Sequence, residues 1–218
     1  MTTVAQLLER LASRLAEDSS PSDTNERDRR ISFLNEAQRK VMGGTYWWFT
    51  ATTGTFNTVA SQEIYSLPDD FRDMIEVRID GKICQPITQD RIYNNYDYPP
   101  LNYEYETLLD RYWIFGDNEM HILPVPESVK TVNYRYWQQH TDFTGTASTT
   151  IIPDRYTDVL VAYALGKKMS GPIEDERGSM SDAFEEYNEI LKDMKKENLR
   201  KKFYFKQFIP RGYEDTLL

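Results

Sequence analysis

Little in this chain suits redox, metal or nucleophilic chemistry. Its 218 residues include one cysteine, Cys84, and two histidines, His121 and His140. A lone cysteine excludes an intrachain disulfide and a cysteine cluster for zinc, and it suits a chain made in a reducing cytoplasm. HExxH, GxSxG and GxxxxGK[ST] patterns are all absent, so the common metalloprotease, hydrolase and phosphate-loop signatures are missing. No stretch approaches eighteen consecutive apolar residues, so no helix is expected to span a membrane. Residues 1–20 hold no basic segment followed by an apolar run, so no signal peptide is expected. A basic excess is missing too. The net charge is −9, whereas proteins that grip nucleic acid by its phosphates are usually basic.

What is present is a globular composition, 39% hydrophobic and 28% charged. The length allows one large domain or two small ones. Aromatics reach 13%, with fifteen tyrosines. Tyrosine favours surfaces that are half wet and half buried, as at interfaces.

Periodicity divides the chain into helix, helix, β-rich stretch, helix, helix, tail. Val4, Leu7, Leu8, Leu11 and Leu15 recur on one face, which predicts a helix over 4–17 with Thr2 or Thr3 as its cap. Pro21 lies in the polar break 18–23. A second helix is expected over 24–43, with Ile31, Leu34, Ala37, Gln38 and Val41 inward and Gly43-Gly44 as its stop. Alternation then takes over. Ile75, Val77 and Ile79 are expected to face one way in a strand ending at an Asp80-Gly81 turn, with a return strand over 82–88. Residues 111–115 and 119–123 predict a second hairpin, and 128–138 another strand, with Val132, Tyr134 and Tyr136 on one side. Strands over 50–59 and 63–67 are weaker. Helix returns after Pro153, with Val159, Leu160, Tyr163, Ala164 and Lys167 sharing a face, and stops at Gly171-Pro172. The last helix is expected over about 175–202, where Met180, Phe184, Tyr187, Leu191, Met194 and Asn198 repeat at 4,3 spacing. The fold class is therefore α+β. Residues 1–45 and 153–202 would form a four-helix bundle, 46–152 an inserted antiparallel β domain, and 203–218 an extended C-terminal tail.

Three segments stand out as candidate contacts. The tail carries Phe203, Tyr204, Phe205, Phe208, Ile209, Tyr213, Leu217 and Leu218, with Pro210 and Gly212 interrupting any regular period. Chain ends are usually polar and loosely ordered, so this one docks, on its own domain or on a partner. A basic stem precedes it, containing Lys195, Lys196, Arg200, Lys201 and Lys202. Its bases complement a helix dipole and equally suit an acidic partner surface. The loop 89–110 carries Tyr93, Tyr96, Tyr98, Tyr103 and Tyr105 around Pro99-Pro100. It is longer than an ordinary connection and is either a contact segment or a lid on its own sheet.

For catalysis the residues offer little. His121 falls within a strand and His140 after one, and both read as structural. Carboxylates such as Asp69-Asp70, Asp117/Glu119 and Glu185-Glu186 are numerous, but sequence alone does not set the separation a glycosidase needs. Trp47-Trp48-Phe49 fits a core junction better than a sugar cleft. No catalytic, cofactor-binding or metal-ligating residue is assigned.

Several short phrases occur together in order: Trp47-Trp48-Phe49-Thr50; Gln62-Glu-Ile-Tyr-Ser-Leu-Pro-Asp-Asp-Phe71; Val77-Arg-Ile-Asp-Gly81; the helix-opening Ile152-Pro-Asp-Arg-Tyr-Thr-Asp-Val-Leu-Val-Ala-Tyr-Ala164; and Phe184-Glu-Glu-Tyr187. With the order of elements, they resemble the head-to-tail adaptor proteins of short-tailed bacteriophages, also called tail tubular protein A or gatekeeper-ring proteins. The resemblance covers most of the chain, but residues 88–110 match nothing in it. It implies a non-enzymatic virion protein of the neck, assembled in the host bacterial cytoplasm. It also implies a dodecameric ring of identical copies between the portal protein and the tail nozzle protein. The segment Phe203–Leu218 would climb into the portal, and DNA would pass through the channel without specific binding. The alternatives are a nozzle or baseplate component and a tail-associated cell-wall-cleaving enzyme.

Overall fold

A computed structural model describes residues 1–17, 24–87, 111–116, 118–170 and 177–206. The chain divides into two compact units, one formed by Met1–Phe49 with His140–Leu218, the other by Thr50–Gln139.

The first unit is helical. Helix α1 (Val4–Leu15) opens with a capping box: Thr3 Oγ1 accepts from the Gln6 N–H at 3.3 Å, and the Thr3 N–H donates to Gln6 Oε1 at 2.9 Å. The Val4 and Ala5 N–H groups, which have no partner within the helix, donate to the Ser148 and Thr146 carbonyls. The helix ends at Ala16, which takes a left-handed conformation with φ 52°. Helix α2 (Thr24–Gly43) buries Ile31, Leu34, Ala37, Gln38, Val41 and Met42. Helix α3 (Asp158–Met169) lies between α1, α2 and the last helix, α4 (Arg177–Lys206). The sequence gives α3 one apolar face, yet Val159 to Gly166 are buried without a break. Packing on three neighbours leaves it no wet side over these turns. Glycine at 166 suits the close approach of α4, because a Cβ there would lie 2.9 Å from the Phe184 ring.

Between β unit and α3, the segment 141–152 is strapped to α2 by buried amides. Asn35 donates to the Phe143 carbonyl and accepts from its N–H at 3.1 and 2.7 Å. Gln38 donates to the Thr141 carbonyl at 2.9 Å and accepts from the Thr150 hydroxyl at 3.1 Å. Trp47 is fully buried, with its indole N–H on the Val41 carbonyl at 2.8 Å. The Trp47-Trp48-Phe49 cluster is therefore core, as its width suggests.

The second unit is a seven-stranded curled sheet: β1 (Ala51–Asn57), β2 (Ile64–Ser66), β3 (Phe71–Ile79), β4 (Lys82–Pro86), β5 (Arg111–Phe115), β6 (Glu119–Leu123) and β7 (Thr131–Gln138), in spatial order β1-β7-β3-β4-β5-β6-β2. The Asp80-Gly81 turn has φ of 47° and 81°, the left-handed pair expected of a two-residue hairpin. The curl brings the two end strands together. Phe56 of β1 stacks on Tyr65 of β2 with centroids 4.8 Å apart, and the Tyr65 hydroxyl donates to the Gln62 carbonyl at 2.7 Å. The inside is filled by Tyr65, Leu67, Phe71, Val77, Ile79, Cys84, Tyr112, Met120, Ile122, Val132, Tyr134 and Tyr136.

Two features depart from the sequence reading. The sheet is not wholly antiparallel: β4 and β5 run parallel through Gln85↔Arg111 and Pro86↔Tyr112. A parallel pair needs a crossover of a dozen or more residues, and the long connection 88–110 is enough. Residue alternation in β3 also breaks. Register shifts between Phe71 and Asp73 and between Met74 and Glu76 turn Met74, rather than Ile75, against the core.

Gly54 on β1 lies beneath the Tyr134 ring, where a Cβ would fall 2.3 Å from the ring's far end. Tyr134 is buried at 6% exposure, with the Phe56 and Tyr136 rings 5.9 and 5.6 Å from its own. Gly54→Val is expected to destabilise the protein by about 1–3 kcal/mol through overpacking, measured as a lower urea midpoint with unchanged slope.

Candidate docking surface

Helix α4 is the longest element described, about 45 Å at the standard rise for its 30 residues. Its inner stripe follows the spacing read from sequence. Phe184, Tyr187 and Leu191 pack on the helical core, and Met194 is fully buried. Arg14 of α1 grips Glu186 with two bonds at 2.6 and 2.9 Å.

The stripe closes with a polar lock. Asn198, 4% exposed, donates to the Tyr46 carbonyl at 3.0 Å and accepts from the Trp48 N–H at 2.9 Å. One buried amide thus satisfies both a donor and an acceptor of the chain entering the aromatic cluster. Beside it, Glu197 accepts from the Tyr156 hydroxyl at 2.5 Å and from the Arg155 guanidinium. Sequence reading marked Asn198 as part of an apolar stripe and missed Glu197. Nothing in local sequence announces partners 41 to 152 residues away.

The outward side is basic. Lys192, Lys195, Lys196, Arg200 and Lys201 are exposed, and Leu199 among them is 71% exposed. Among the described residues, the acids paired with this set are Asp193, 3.1 Å from Lys196, and Glu197, 3.9 Å from Lys201. Lys202 continues the helix, and so do Phe203, Tyr204 and Phe205, since α4 runs on to Lys206. Phe208, Ile209, Tyr213, Leu217 and Leu218 lie outside the described residues, as do Tyr93, Tyr96, Tyr98, Tyr103 and Tyr105.

The remaining candidates are scattered. His121 lies in β6 and His140 lies 3.8 Å from Asp142. An open cleft of about 600 Å³ in the sheet unit is lined by Asp69, Phe71, Arg72, Asp73, Ile114 and Gln139. Both of its carboxylates are exposed. Nearby, Asp70 accepts from the Tyr136 hydroxyl at 2.9 Å. Burial, with that bond, pushes Tyr136 up to about 12. No described helix is long and apolar enough to cross a membrane.

These observations first define a class: an α+β protein of two units whose most distinctive described surface is the basic end of a locked helix. The family follows from comparison. Residues 2–204 match the family model described as the SU10 adaptor protein, so the chain belongs to that family. It is a phage adaptor, a structural component of the virion. No curated protein matches the chain.

Hydrogen bonds hold five carboxyls of the helical unit below the ordinary range, those of Glu26, Glu36, Asp142, Asp154 and Glu197; Glu197 is held through Tyr156 and then Arg155, and Glu26 chiefly through Lys168. A depressed folded pKa gives stability that is fully present above the unfolded value of about 4.3. That stability is lost as pH falls through the lower folded value. The melting temperature is therefore expected to fall on acidification below about pH 4.3, and Glu197→Gln to flatten that fall, as read by calorimetry across pH.

Proposed function

We propose that the protein is a head-to-tail connector that joins the portal of the capsid to the tail nozzle as a dodecameric ring. The four helices act as a bundle that forms the ring body. Closed cyclic symmetry makes each contact between copies head-to-tail. The C-terminal segment Phe203–Leu218, led out by the basic stem, docks into the portal. The protein works by binding and carries no catalytic group or cofactor.

The observation that carries this reading is the lock at Asn198. It fixes α4 to its own unit at the point where the helix turns basic and exposed, and the aromatic run follows directly in sequence. Fixing a segment in a complex costs chain entropy. Phe203, Phe205, Phe208 and Tyr213 offset that loss by burying large rings. Lysines and Arg200 give the approach to an acidic portal surface its direction. With many copies bound at once, release requires all of them to let go together, so detachment is slow. The chain's overall negative charge keeps the channel from adhering to passing DNA.

Removing Phe203–Leu218 is the direct test. The truncated chain is expected to keep its helical circular dichroism and melting temperature but to lose co-sedimentation with purified portal rings. Decoration of portals by the truncated chain in electron micrographs refutes the anchor. Loss of the folded spectrum places the tail in the core instead.

A further inference from the structure

Three buried polar atoms on the sheet have no hydrogen-bond partner among the described residues: Arg111 Nε, Trp113 Nε1 and His121 Nε2. Buried polar groups are nearly always paired, so three orphans close together need a cause. Arg111 and Trp113 are two residues apart on β5 and share one face of it. His121 on β6 is the register partner of Trp113, and their rings stack with centroids 3.8 Å apart. Ile64 on β2 is the next residue across that row. The core-filling Tyr112, Met120 and Ile122 occupy the alternate positions of β5 and β6, on the opposite face.

The chemistry of the orphans specifies what is missing. His121 is 7% exposed, with Nδ1 3.0 Å from Glu63 Oε1. A carboxylate only accepts, so Nδ1 carries the hydrogen and Nε2 is the nitrogen left over. The Trp113 indole N–H and the Arg111 Nε–H can only donate. The group absent from Arg111 and Trp113 is therefore an acceptor, whereas Nε2, bare in this tautomer, becomes a donor only on protonation; beside a guanidinium a charged acceptor makes the stronger bond. The rim is apolar: Phe115 and Ile64 are 48% and 47% exposed, and the Phe115 ring stands edge-on to both Trp113 and His121. A bare anion makes no use of such a rim, whereas a carboxylate attached to an apolar residue does.

We propose that this face of β5, β6 and β2 binds a carboxylate carried on an apolar segment of a neighbouring protein. Arg111 and Trp113 donate to the carboxylate, and Phe115 and Ile64 cover its apolar flank. His121, oriented by Glu63, backs the indole ring and adds a third donor when protonated. The site belongs to the sheet unit and does not use the α4 stem, so it stands or falls separately from the connector reading.

Indole N–H signals of the ¹⁵N-labelled full chain report on the site directly. The four tryptophans give four such signals, and Trp113→Phe identifies the one that matters. Phenylacetate, standing in for the segment, is expected to move the Trp113 signal saturably, and acetate or benzyl alcohol to do so only weakly. Arg111→Gln is expected to weaken phenylacetate binding about tenfold. Should Arg111→Gln lose its dispersed spectrum, Arg111→Lys keeps the charge without Nε–H and is expected to show a loss in the same direction. A Trp113 signal indifferent to phenylacetate, or equally responsive without the Arg111 guanidinium, overturns the site. Acetate binding as tightly as phenylacetate reduces it to a site for a free small anion and overturns the assignment to an apolar segment.

Discussion

Complete burial of one helix organises the helical unit. From Val159 to Gly166 every residue of α3 is buried, the most accessible being Leu165 at 9%. A helix without a wet side needs cover all round, and burying each large aliphatic side chain is worth about 1.5–3 kcal/mol. The cover comes from α1 and α2 at the start of the chain and from α4 at its end. Both ends of the sequence are thereby drawn into one unit, and residues 50–139 fold as a unit of their own.

Closing such a unit traps polar backbone, and the way it is satisfied is consistent. Asn35, Gln38 and Asn198 each reach backbone groups of segments that are not helical, and each uses both ends of its amide in the buried network. Removing one such amide leaves buried groups unpaired, which costs about 1–3 kcal/mol, more than the bond itself contributes. Arg30 is a charged counterpart. At 3% exposure it is held by Glu17 at 2.6 Å and Glu26 at 3.1 Å, and Lys168 binds the same two carboxylates. This cluster joins the region after α1 to the start of α2 and the end of α3. Its specificity lies in geometry, since a buried charge is tolerated only where every partner is in place.

The same economy separates the parts of the molecule that hold it together from those free to meet others. Along α4, Asn198 is the last inward side chain among the described ones, and the outward ones change from Asp182, Glu185 and Glu189 to Lys192, Lys195 and Lys196. Acids near a helix start and bases near its end also suit the dipole. In a chain of net charge −9, concentrating bases at one helix end creates a local sign reversal that an adaptor can use to choose which neighbour meets that end. The sheet unit differs. Its inside is aromatic and closed by the Phe56–Tyr65 stack, while the face bearing Trp113 and His121 keeps polar atoms that its own described residues leave unmet.

Much of this was readable from residue order. Helical spacing in α1, α2 and α4, the Asp80-Gly81 turn, the β5–β6 hairpin and the inward side of β7 all follow from local pattern, because burial on one side imposes a period of 3.6 or 2 on the side chains. The adaptor resemblance was legible for the same reason, resting on phrases fixed by local turns and junctions. Other features depend on neighbours remote in sequence. The parallel β4–β5 pair, the bulges that exchange Ile75 for Met74, the full burial of α3 and the partners of Asn198 and Glu197 leave no periodic trace in their own segments. His121 looked like any strand histidine until register set it on Trp113 beside Glu63. Side-chain period is a local property set by backbone geometry. Which polar atom meets which, and which is left without a partner, is set by long-range packing, and three-dimensional closure alone fixes it.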